Sequence, residues 1–225
     1  MGFDELIDAA YALGREVAYF LPQENARKPA TAVLRAEVAR LASDELERAV
    51  EDLLIDTERA QFPPQQIEIK AIQPAHAANE LLDKAGVDDA PVKVKQLAES
   101  CGLMVFERAF PEALSGFLLE LEEGAVIGVN CRHHRVRQRF STAHELGHHL
   151  LGHSERFHID VSDGNSPGAD YASERAANEF AAELLMPRRL VSRLAEGEPG
   201  TSWLAQRFDV SEIAMGYRLV NLGLR

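Results

Sequence analysis

Cysteine is scarce in this chain: its 225 residues include two, Cys101 and Cys131, far apart in sequence. That excludes a disulfide-framed secreted scaffold and reads as two reduced, packed thiols. Positive charge is also in deficit. Against 36 Asp and Glu stand 24 Lys and Arg, a formal net charge of -12, which argues against a protein whose main task is gripping phosphate backbones. Long apolar runs are missing too, none approaching the ~18 residues of a membrane helix. Asp4, Glu5 and Asp8 leave no room for a secretory apolar segment. The expected location is therefore the cytoplasm, with no membrane partner. No internal repeat or low-complexity tract stands out.

What is present is an ordinary globular composition, 46% hydrophobic and 27% charged. Residues 1–66 read as a helical extension, with one helix over 3–20 stopped near Pro22 and another from after Pro29 to about Thr57. Pro63-Pro64 marks a linker. A core is expected over 72–190: helices over 74–85 and 92–100, a strand over 103–106, and apolar runs at 116–121 and 125–129 joined as a hairpin by Glu122-Glu123-Gly124. A helix over 134–152 follows, then a Gly/Ser/Asp/Pro-rich loop over 154–170, and a helix over 172–186 ended by Pro187. Residues 191–225 read as a tail of two short helices, 202–208 and 211–221, with Ser211 as N-cap and the outline of a helix-turn-helix. Packing on the core is at least as good a reading of that tail as DNA recognition, and direct DNA binding is not expected of so acidic a chain.

The chemistry lies in His144-Glu145-Leu146-Gly147-His148, an H-E-x-x-H pattern. On a helix, residues four apart share a face, so both imidazoles can reach one ion. Glu145 stands one step around, placed to hold a metal-activated water as general base rather than to act as a ligand. Gly147, between the histidines, lets another helix approach closely. The hairpin before the helix offers a sheet whose edge could pair with an extended peptide. A catalytic zinc takes three protein ligands and keeps one position open. At about 100° per residue, Glu174 shares its side of the later helix with Ala177, Asn178, Ala181 and Leu185, whereas Glu179 and Glu183 fall away from it and read as solvated charges. Glu174 is the expected third ligand, and Asn178, one turn on, a hydrogen-bonding partner for a ligand histidine. His158 and Tyr171, in the loop between the ligand helices, are candidates to stabilise the oxyanion of the tetrahedral intermediate. His149 and His153 read as surface histidines, and His133 and His134 as exposed at the helix start. Two imidazoles and a carboxylate suit Zn2+ best, though Mn2+ or Fe2+ is tolerated by the same set.

With these residues in hand the chain resembles the ImmA/IrrE family of metallopeptidases over about Val92 to Pro187. Three blocks carry the resemblance: Ile127 to Asn130, Arg137 to His148 (close to R-F-T-x-A-H-E-x-G-H), and Glu174 to Ala181 continued by Leu184 to Pro187 (E-x-x-A-x-x-F-A-x-x-L-L-M-P). It implies an α+β, zincin-like (gluzincin-like) core, a small mostly antiparallel sheet with active-site helices; the tail is similar to the helical segment that often follows such a core, and the N-terminal helical extension lies outside the resemblance. His144, His148 and Glu174 are implied as ligands and Glu145 as base, in agreement with the helical phase. The implied activity is zinc-dependent endopeptidase action on a helix-turn-helix transcriptional repressor, relieving stress-response or phage-type repression. The alternative is a non-hydrolytic, metal-containing regulator that binds and sequesters a repressor.

Overall fold

The structure is a computed structural model that describes residues 44–153, 157–161, 171–197 and 199–225. The helix expected over 3–20 and most of the next lie outside the described residues. Among the described residues there are eight helices and four strands: α1 (Asp44–Arg59), α2 (Pro74–Lys84), α3 (Val94–Ser100), β1 (Met104–Arg108), β2 (Leu114–Glu120), β3 (Ala125–Asn130), α4 (Arg135–Leu150), β4 (Phe157–Val161), α5 (Tyr171–Leu185), α6 (Arg188–Ala195), α7 (Thr201–Phe208) and α8 (Glu212–Asn221).

The strands form one mixed sheet in the order β1-β3-β2-β4. β1 runs parallel to β3, with Met104 opposite Val126, while β2 is antiparallel both to β3 (Phe117 opposite Gly128) and to β4 (Phe117 opposite Ile159). The fold is α+β, as expected. Strands β2 and β3 are buried along almost their whole length, which explains their unbroken apolar reading: both faces of the sheet are covered. Alternation sorts the side chains between the two faces. Phe117, Leu119 and Val126 join Val50, Leu53 and Leu54 of α1 in one apolar cluster. Leu118, Ala125, Ile127 and Val129 join the other, with Ala143 and Leu146 of α4 and Phe180, Ala181 and Leu184 of α5.

Asn130 anchors the end of β3. It is fully buried; its Oδ1 accepts from the backbone N–H groups of Phe110 and Arg132, both at 3.1 Å, and its amide donates to Leu114 O at 2.8 Å and Pro111 O at 3.0 Å. The side chain thus supplies hydrogen bonds that the irregular 109–113 connection cannot make to itself, and it fixes where α4 begins.

Two elements depart from expectation. The 154–170 stretch, read as loop, contains β4. Its Phe-His-Ile-Asp-Val sequence alternates as an edge strand should, but Gly, Ser, Asp and Pro surround it. Pro187 ends α5, as expected, and also serves as N-cap of α6 (φ -55), a helix the tail had not been expected to hold; a fixed φ near that of a helix suits a start as well as a stop. The tail packs inward. Leu190, Val191, Leu204, Phe208, Met215 and Leu219 belong to the same cluster as the sheet and α5. The outward side of α8 carries Ile213, Tyr217 and Val220, not the lysines and arginines that phosphate contacts use. No helix among the described residues is long and apolar enough to cross a membrane.

Candidate metal centre

Helix α4 opens on His134, whose ring accepts from Val136 N–H, and is buried continuously from Ser141 to His148. The segment lies between the sheet and α5, and Gly147 is the reason α5 can come so close. A Cβ there would stand 3.3 Å from both Cα and the carbonyl oxygen of Ala177 on α5, and 3.0 Å from the Phe180 ring. The close crossing expected at this glycine is what the structure has, and it brings the first turn of α5 over the two histidines.

The result is a buried convergence of three donor groups. His144 Nε2 lies 3.1 Å from His148 Nε2 and 3.4 Å from Glu174 Oε2, and His148 Nε2 lies 3.4 Å from Glu174 Oε1. The His144 and His148 side chains are 4% and 3% exposed, while that of Glu174 is 24% exposed, so the group opens outward on the glutamate side. Ligand atoms about 2.0–2.2 Å from a tetrahedral ion stand about 3.3–3.6 Å apart; the two His–Glu distances match this and the His–His distance is about 0.2 Å shorter, so the three suit a shared ion. Among the described residues this is the group of histidine and carboxylate side chains that could hold a metal.

The neighbours orient these donors. His144 Nδ1 is 3.1 Å from Asn178 Oδ1, one helical turn after Glu174. An amide oxygen only accepts, so the ring hydrogen sits on Nδ1 and the Nε2 lone pair points at the group. Phe140 stacks on the His144 ring at 6.1 Å between centroids. Glu145 is fully buried on the side of α4 that faces β2. A Cβ at Gly116 would lie 3.4 Å from Ser141 Cβ and 3.9 Å from Glu145 Oε1, so this glycine lets the carboxylate lie against the strand. Next to it on β2, Ser115 Oγ accepts from Arg137 Nη2 at 2.7 Å.

Other residues fall differently from expectation. Glu179 is exposed, but Glu183 is buried, not solvated: its carboxylate is ion-paired with Arg218 of α8 and accepts from Arg188 N–H at 3.0 Å and from Asn79 Nδ2 at 3.2 Å. Helical phase places it away from Glu174 yet cannot show that α2 and α8 cover that side. His149 is half-buried and meets Glu120 Oε1 at 2.7 Å through Nδ1, and His153 reaches back to His148. His133 is buried, with Nε2 2.9 Å from Glu112 O, whereas His134 is exposed as expected. Tyr171, at the start of α5, is 81% exposed. His158 lies on β4 opposite Leu118, and its side chain is outside the described residues.

A helix bearing H-E-x-x-H against a small mixed sheet, with a carboxylate delivered by the next long helix, is the frame of a zincin-like metallopeptidase. The sequence matches the Peptidase M78 family model, the IrrE N-terminal-like domain, over residues 98–220. That is more than half of the chain, and the protein belongs to this family. The match runs past the three sequence blocks, which end at Pro187, and takes in the tail through most of α8. No curated protein matches the sequence.

Proposed function

We propose that this protein is a zinc-dependent endopeptidase in which His144, His148 and Glu174 hold the ion and Glu145 is the general base. The observation that carries the reading is the buried triad of donor atoms 3.1–3.4 Å apart, with the fully buried Glu145 beside it on the same helix. When bound, zinc supplies a polarising charge for the scissile carbonyl and lowers the pKa of water to about 7. The chain's own residues do the rest. Glu145 takes a proton from the attacking water and returns it to the leaving amine. The Asn178 amide holds the His144 ring in one tautomer. Burial of Glu145 and both histidines excludes bulk solvent from the side of the reacting atoms that faces the sheet. Mn2+ or Fe2+ could take the same donor set.

The family resemblance supports a helix-turn-helix repressor as substrate, with cleavage relieving repression in the cytoplasm. Glu145→Gln tests both levels. The variant should bind zinc like the wild type and lose cleavage by at least about 100-fold, the lower range for a general base. Repressor release that persists in this variant would instead establish a sequestering, non-hydrolytic regulator. Co-expression with repressors encoded nearby, followed by a search for Glu145-dependent fragments, identifies the substrate.

A further inference from the structure

The C-terminal end of α4 carries a third histidine to the metal centre by a route that helical spacing does not show. The helix closes at Leu151, and Gly152 follows with φ +66. There the chain turns back on itself: Gly152 N–H donates to His149 O at 3.2 Å and His153 N–H to His148 O at 3.1 Å. This pair of bonds, with a left-handed glycine between, is a recurrent helix end, and it lays the residue after the glycine against the residue five positions before it. That contact is commonly apolar. Here it joins two imidazoles, with His153 Nδ1 3.0 Å from His148 Nδ1 and the rings 5.0 Å apart at 73°.

The direction of the hydrogen bond follows from the other side of the His148 ring. Its Nε2 faces His144 Nε2 and Glu174 Oε1, and to act as a ligand that nitrogen must keep its lone pair, so the ring hydrogen sits on Nδ1. A buried N–H needs an acceptor, and His153 Nδ1 stands at hydrogen-bond distance. His153 then carries its own hydrogen on Nε2. Asn178 serves His144 in the same way from α5, so each ligand imidazole has its own acceptor, one from the opposing helix and one from the cap of its own.

We propose that His153 is a positioning residue of the metal centre. It accepts the Nδ1–H of His148, fixes that ring's tautomer and orientation, and thereby raises metal affinity. The proposal rests on the reading of His144, His148 and Glu174 as the ligand set. It also extends the working motif to H-E-x-x-H-x-x-x-G-H, in which Gly152 is the hinge that delivers His153.

The experiment compares zinc affinity of the wild type, His153→Leu and His153→Asn by competition with a chromophoric chelator at one fixed pH. Leucine fills the space without an acceptor; asparagine places Oδ1 as many bonds from Cα as Nδ1 of histidine. His153→Leu should bind zinc about 10- to 100-fold more weakly, the range for loss of such an outer partner, and His153→Asn should stay close to the wild type. In metal-free protein, two-bond 1H–15N spectra should show His148 as the Nδ1–H tautomer in the wild type and in His153→Asn, and as a mixture in His153→Leu. Circular-dichroism melting of the metal-free proteins separates folding from binding, and if His153→Leu is unstable the affinity and tautomer of His153→Asn decide. Leucine binding zinc as tightly as the wild type, or asparagine binding as weakly as leucine, would overturn the proposal. A wild type that takes up no zinc would instead sink the ligand-set reading itself, a result distinct from either.

Discussion

Single residues of one type meet opposite environments in this chain. Cys101 caps α3, is 3% exposed, and has its thiol pushed up from the usual 9.0 to about 11 by burial, whereas Cys131 is exposed just after β3. Since the thiolate is the reactive form, a disulfide reagent near neutral pH should modify Cys131 in the folded protein and Cys101 only after denaturation, a two-step count that absorbance reads directly. Two fast thiols in the native protein would refute it. The linkage has a sign as well: the folded value is raised, so the contribution of Cys101 to stability is fully present below about pH 9 and is lost as pH rises through about 11. Cys101→Ser should flatten that alkaline decline in denaturant titrations. At this scale the sequence was legible where spacing is local. His144 and His148 are one turn apart on a single helix, and Glu174 and Asn178 one turn apart on another. It was illegible where a partner arrives from elsewhere, as Arg218 does for Glu183, or where the chain reverses, as at Gly152.

Between elements, the decisive contact is the crossing of α4 and α5. Replacing Gly147 by alanine raises helix propensity by up to about 1 kcal/mol, yet the new methyl must displace the Ala177 backbone, 3.3 Å away, and the buried Phe180 ring. Backbone and a fully buried ring yield poorly, and overpacking typically costs about 1–3 kcal/mol, so the balance is expected to be destabilising. The same displacement draws Glu174 away from the imidazoles. Gly147→Ala should therefore lower the denaturation midpoint and weaken zinc binding together, measured by urea titration and chelator competition. A variant of unchanged zinc affinity would show that the crossing does not position Glu174. Elements were legible when long and periodic, as α2, α4, α5 and the β2–β3 pair were. β4 is five residues long and depends on β2 for its pairing, and α6 is hidden behind a proline that ends one helix and begins another.

For the whole molecule, the question is which parts belong to one cooperative unit. The family match begins at residue 98, but α1 before it covers one face of the sheet and α2 adds Ala77, Ala78, Leu81 and Leu82 to the core on the other. Neither role is visible in an amphipathic pattern, which says that a face is covered and not by what. The tail is bound in by charge as well as by apolar contact. Arg139 donates to Asp209 O at 3.0 Å in the α7–α8 turn, and Arg218 of α8 pairs with Glu183 and donates to Met186 O at 3.0 Å. The Arg218 and Glu183 side chains are only 12% and 7% exposed. Removing one member of a buried pair strands the other charge and costs about 3–5 kcal/mol; the bonds Glu183 keeps from Asn79 and Arg188 place Arg218→Ala near the lower end. If α8 belongs to the same unit as the metal centre, the variant should unfold in one transition with a lower midpoint and an unchanged dependence on urea. A tail that unfolds first, leaving the main transition and zinc affinity where they were, would make it an appendage instead. The continuous apolar cluster from Ile127 through Leu184 to Met215 and Leu219 requires the single transition.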